Sequence, residues 1–236
     1  MTQIHLFGGE KGGVGKSFVC KTAIAYHLHK KIGCVPFDAD RSNADVLRIY
    51  GEKADVRSAI LSEGEDYEKA AHDILMTALN GQRVLVNLPA QAMPALSFWI
   101  EQHDIFEMAD DGDVTFYSWF VSDCGLDSIK LFEQLLDQFD DKVRHVFVAN
   151  HGITKKWGLL TDNQALTKRM RDMGVILIHF PRFIGKDDCR LINELSMPFS
   201  DVYESKHFDA FGRQHVRSFL KKAFAQFDES EVFGAH

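Results

Sequence analysis

The stretch that decides the fold is "FGGEKGGVGKSFV", Phe7–Val19. An apolar run, Ile4–Phe7, leads into the glycine-rich Gly8–Gly15, and Lys16 opens a segment with helical periodicity. Strand, glycine turn and helix in that order make an anion cradle. Glycines let backbone N–H groups turn toward a phosphate, and the helix N-terminus adds partial positive charge. Gly12, Gly13, Val14, Gly15, Lys16, Ser17 and Phe18 would then surround a nucleotide's phosphates, with Lys16 on the β- and γ-phosphates and the Ser17 hydroxyl on Mg2+. The bland alternative, a tight connection, needs fewer glycines and no Lys-Ser. The common loop pattern, G-x-x-x-x-G-K-S/T, places glycine at position 10. Here Glu10 stands there and Lys11 precedes Gly12, so a second lysine needs its own explanation.

Outward from the loop the chain alternates strand and helix. The apolar runs "QIHLF" (3–7), "GCVPF" (33–37), "RVLVNL" (83–88), "VTFYSWFV" (114–121), "HVFVAN" (145–150) and "VILIHF" (175–180) read as buried parallel strands. Between them, Cys20, Ala23, Ile24 and Leu28 make one helix face, and Ile129, Phe132, Leu136 and Phe139 another. The expected fold is α/β: a doubly wound, mostly parallel sheet flanked by helices, one domain over 1–228 with a loose tail over 229–236. Residues 51–81 read as polar and helical, "EGEDYEK" as a solvated face. Trp99 and Trp119 read as core.

The net charge of −7 speaks against a generic nucleic-acid binder, so any such contact needs a local patch. No apolar run approaches a membrane span. Cys20, Cys34, Cys124 and Cys189 lack C-x-x-C spacing, which suggests free thiols in a reducing, cytoplasmic setting. The 11 histidines show no zinc-ligand spacing.

"KGGVGKS" resembles the deviant Walker A motif of the ParA/MinD family of cytoskeletal-type ATPases, in which the lysine ahead of the glycine pair is the distinguishing residue. The resemblance implies that Lys11 crosses a dimer interface to the partner's nucleotide, a cation supplied in trans as an arginine finger is. Homodimerisation would then depend on ATP. From the residues alone, Lys11 also reads as a solvated loop residue. In "FDADRSNAD", Asp38 and Asp40 end the second strand, where open α/β sheets bind ligands. The family's D-x-D implies that Asp40 polarises the attacking water and Asp38 helps hold the Mg2+ shell. Asp40 or Ser42 capping a helix near Asn43 is an alternative.

The family expects aspartate where "RVLVNLPAQ" has Asn87. An asparagine can accept from a metal-bound water but lacks the charge, which implies a weak ATPase whose rate Asn87→Asp should raise. The family also implies Asn150 on the adenine edge and Pro181-Arg182 in the base pocket. No guanine-specific N-K-x-D run is present.

"GKSFV", the Asp38–Asp40–Asn43 spacing and "NLPAQAMPALSFWI" resemble plasmid conjugal-transfer or mobilisation proteins of the TraL type. That implies a role in plasmid transfer, mobilisation or partition, with a protein partner. A nucleotide-binding adaptor that scaffolds a relaxase complex with negligible hydrolysis is the rival. A small-molecule kinase on the same loop ranks behind both. Near the C-terminus, Arg213, Arg217 and Lys221 fall at i, i+4 and i+8 beside an apolar face of Val216, Phe219, Leu220, Ala223, Phe224 and Phe227. The stripe suits DNA or an anionic membrane, or simply the wet side of a last helix packed on the sheet.

Overall fold

The computed structural model describes residues 1–9, 11–62 and 68–234. Glu10 and most of the "EGEDYEK" face lie outside the described residues. In chain order the elements are β1 (Thr2–Gly8), α1 (Lys16–Lys30), β2 (Val35–Asp38), α2 (Asp45–Tyr50), β3 (Arg57–Ser58), α3 (Glu68–Leu79), β4 (Val84–Asn87), α4 (Met93–Gln102), α5 (Ile105–Asp111), β5 (Val114–Ser122), α6 (Leu126–Phe139), β6 (Arg144–Asn150), α7 (Gly158–Thr161), α8 (Gln164–Asp172), β7 (Ile176–Phe180), α9 (Lys186–Glu194) and α10 (Ala210–Glu229).

The strands form one seven-stranded sheet in the order β3-β2-β4-β1-β5-β6-β7, and every pairing is parallel. Both faces are covered, which is why the strand runs are mostly apolar. Ile4, Leu6, Val86, Phe116 and Phe120 pack on one side with Ile74, Leu96 and Phe132. Phe7, Leu85, Trp119, Val146 and Val148 pack on the other with Ile24, Phe219 and Phe227. The order reverses about β1, flanked by β4 and β5, so its carboxyl end opens into the crevice where such sheets take ligands.

The six expected strands and the buried Trp99 and Trp119 are present. Three expectations are corrected. Leu28 is exposed, and Tyr26 and His27 are buried in α1 instead, because α10 and Phe233 cover that side. Residues 51–62 are not helical; they carry the two-residue edge strand β3. Residues 229–234 are not a loose tail. Val232 and Phe233 are buried, with the Phe233 ring stacked 5.4 Å from Tyr26 and 5.5 Å from Trp119. Arg83 Nη2 donates to the Phe233 carbonyl at 2.8 Å. Residues 235–236 lie outside the described residues. No helix among the described residues is long and apolar enough to cross a membrane.

Candidate functional site

The loop between β1 and α1 has the geometry the glycines forecast. Gly13 (φ 79°) and Gly15 (φ 98°) are left-handed, a region that disfavours L side chains. Gly15 is the N-cap of α1, and no side chain caps the helix there. The helix's first N–H groups are therefore left for a ligand. Val14 is buried, Gly12 and Gly13 are exposed, and Ser17 and Phe18 are half-buried at the first turn. Phe18 doubles as an anchor, its ring 5.2 Å from Phe219 and edge-on to Phe180 and Phe199.

Lys16 is buried and its Nζ donates to the Lys11 carbonyl at 3.2 Å, folding the ammonium back over the loop. Lys11 turns within its own chain. Its Nζ lies 3.4 Å from Asp127 Oδ2 and 3.8 Å from Asp123 Oδ2, at the end of β5 and the start of α6. This pair of acids was missed; two aspartates four apart at the carboxyl end of a central strand were the available signal.

Beside the loop lies a cleft of about 730 Å³ lined by Gly15, Phe18, Gly152, Pro181 and Arg182 among others. Pro181 and Arg182 stand where a base pocket was expected. Asn150 also borders it, but its amide is buried and engaged. Nδ2 donates to the Val14 carbonyl at 2.8 Å and Oδ1 accepts from Gly152 N at 2.9 Å. Asn150 thus braces the loop from below while bordering the cleft.

Asp38 is likewise committed. Oδ2 accepts from the backbone N–H groups of Val46 (2.9 Å) and Leu47 (3.0 Å). Oδ1 accepts from Asn87 Nδ2 (2.9 Å) and from Asp40 N (3.2 Å). Four donors surround it, and through Val46 N and Leu47 N Asp38 caps α2 from the neighbouring strand. Asp40 does not cap that helix, which begins at Asp45. Asp40 Oδ1 accepts from Ser42 Oγ at 2.6 Å and Asn43 N at 3.1 Å, a closed turn at the site's rim. Asn87 is fully buried, and its Oδ1 has no hydrogen-bond partner.

Below the loop, Lys21 is buried and was not singled out from the sequence. Its Nζ donates to Asn193 Oδ1 at 3.0 Å and lies 3.8 Å from Asp45 Oδ2. Burial lowers its pKa and Asp45 pulls it back up. Along the basic row on α10, Arg213 Nη2 donates to the Ser205 carbonyl at 2.9 Å, Arg217 lies over the Tyr203 ring, and Arg217 and Lys221 are both exposed.

No protein-family model matches the chain. Protein MobD of Acidithiobacillus ferrooxidans is 25% identical over 179 residues, covering 75% of this chain and 77% of that protein. Among solved structures, a nucleotide-binding protein from Archaeoglobus fulgidus in complex with ADP shares 15% identity (TM-score 0.48), covering 82% of this chain and 86% of that one. The signal recognition particle receptor FtsY of Elizabethkingia anophelis shares 16% (TM-score 0.47; 93% and 65% covered). FlhF complexed with GTP/Mg2+ shares 16% (TM-score 0.44; 67% and 59% covered).

Proposed function

We propose that this chain is an ATP-dependent dimerising switch with slow, Mg2+-dependent hydrolysis, serving plasmid transfer, mobilisation or partition. The observation that carries the reading is the uncapped N-terminus of α1 behind two left-handed glycines, with Lys16 folded over the loop and a nucleoside-sized cleft alongside. Backbone donors, a lysine and a helix dipole converge on one point, the arrangement that stabilises a polyphosphate.

The donor set suits Mg2+ with Asp38 left out. Mg2+ keeps several waters and takes few protein ligands. Ser17 would supply a hydroxyl, and the unpartnered Asn87 Oδ1 would accept from a metal-held water. When bound, the ion would neutralise charge on the phosphates. Asp40, half-exposed at the rim, is the carboxylate left to orient an attacking water.

Lys11 supplies the switch. Its pairing with Asp123 and Asp127 is a partly exposed one, with Lys11 at 34% and Asp127 at 74% side-chain exposure. Such pairs are worth roughly 0–1 kcal/mol. A triphosphate presented by a second copy outcompetes that easily, so the lysine can leave its own acids for a partner's nucleotide. The test is mass by light scattering, with ADP and with a slowly hydrolysed ATP analogue. The mass should double only with the analogue, and Lys11→Ala should stay monomeric in both. A wild-type monomer under every condition overturns the reading.

A second reading is favoured by Asn87, which brings no charge to the metal side. On it, the chain binds ATP, hydrolyses it negligibly and acts as an adaptor scaffolding a relaxase–DNA complex. Phosphate release per subunit under excess ATP separates the two. The name of the relative, Protein MobD, is in keeping with mobilisation among the processes proposed. A protein partner is part of both readings. DNA or membrane contact through Arg213, Arg217 and Lys221 would rest chiefly on the exposed Arg217 and Lys221.

A further inference from the structure

We propose that Asn87 is a positioning residue, whose amide fixes the buried carboxylate of Asp38 at the end of β2. Asp38 and Asn87 are cross-strand partners in the β2–β4 register. Both are buried, and Asn87 Nδ2 donates to Asp38 Oδ1 at 2.9 Å. Asp38 passes the constraint on by holding Val46 N and Leu47 N of α2. One amide therefore fixes one carboxylate, and that carboxylate fixes the segment that follows Asp40. The other end of the amide, Oδ1, is a buried acceptor with nothing to accept. This is where a donor brought by the ligand would be read. The role deepens the nucleotide-site reading above and, for that last part, rests on it.

The pairing alters what Asn87→Asp should do. By charge alone the change supplies a missing acid. In this geometry it sets two buried carboxylates at hydrogen-bonding distance, and two acids so placed cannot both ionise freely; one pKa rises strongly. Once protonated, the introduced carboxyl can donate as the amide does, so at acid pH the variant should resemble the wild type. An acid whose folded-state pKa is raised binds a proton that the unfolded chain has released, so stability falls as pH rises through that interval. The charged or titratable groups on the surrounding segments include Lys16, Cys20, Lys21 and His27 of α1, Asp40 and Arg41 ahead of α2, Asp45, Arg48 and Tyr50 of α2, Arg57 of β3 and His5 of β1. Burial, with Asp38 nearby, holds the Cys20 thiol well above its ordinary pKa. All of these are common to wild type and variants, so differences isolate the added carboxyl.

The experiment is Tm against pH, from 4.5 to 8, on nucleotide-free wild type, Asn87→Asp, Asn87→Ala and the exchange Asp38→Asn/Asn87→Asp. Relative to wild type, Asn87→Asp should lose roughly 5 °C or more between acid and alkaline pH. Asn87→Ala should lose stability with no new pH slope. The exchange should abolish the slope, since one charge and one amide are again paired. A wild-type slope for Asn87→Asp, or a slope kept in the exchange, overturns the proposal. A fluorescent ATP analogue with Mg2+ is then titrated into each protein. The expected slopes without nucleotide binding by the wild type would leave the positioning role standing and defeat the proposed function instead. Binding with the wrong slopes would do the reverse.

Discussion

Gly12 and Gly15 belong to the same loop, yet the structure asks different things of them. A Cβ on Gly15 would sit 2.6 Å from Asn150 Nδ2, at a φ of 98°. A Cβ on Gly12 would meet nothing within 4 Å. Gly15→Ala should therefore displace Asn150, break its bond to the Val14 carbonyl and strain the helix cap. The expected loss is about 1–3 kcal/mol, read as a lower urea midpoint, together with loss of binding to a fluorescent ATP analogue. Gly12→Ala should leave the midpoint within about 0.5 kcal/mol of wild type. The loop was legible as a run of residues because glycine, lysine and serine chemistry is local. What holds the loop was not. Asn150 lies 136 residues from Val14, and only the sheet's topology brings them together. The donors around Asp38 were equally illegible, since only the β2–β4 register and the placement of α2 bring Asn87, Val46 and Leu47 to it.

At the scale of elements, six strands announced themselves because each is a short stretch dominated by apolar residues. β3 escaped because Arg57 and Ser58 are polar and pair only with Phe37 and Asp38 at the sheet's edge. The turn after α10 escaped for a related reason. Val232 and Phe233 are two apolar residues among polar neighbours, too few to show a period, and their burial depends on the floor made by His5, Tyr26, Trp119 and Phe227. Phe233→Ala should empty that site at a cost of about 3–5 kcal/mol, measured by denaturant unfolding. A change near zero would mean that this turn does not dock in solution.

For the whole molecule, the buried histidines set a pH response. Trp119 Nε1 donates to His5 Nδ1 at 3.1 Å, so that ring nitrogen must keep its lone pair. Burial, reinforced by His27 and Arg83, holds the His5 pKa well below 6.5, and burial lowers His145 as well. The unfolded chain takes up these protons near pH 6.5 and the folded one does not. Stability is then complete above pH 6.5 and declines as pH falls below it, by up to about 1.4 kcal/mol per pH unit for each histidine. Tm should drop between pH 7 and pH 5, and His5→Asn, which keeps an acceptor for Trp119, should flatten part of that drop while lowering Tm throughout.

The position of β1 in the sheet has a further consequence, for the route to the folded state. Thr2–Gly8 pairs on one side with residues 84–87 and on the other with residues 114–120, so its ladder closes only across long stretches of chain. Loops of that span carry their closure entropy before any strand contact offsets it. Refolding from denaturant should accordingly take milliseconds to seconds rather than microseconds, with the phosphate loop, strung between β1 and α1, among the last segments to acquire its shape.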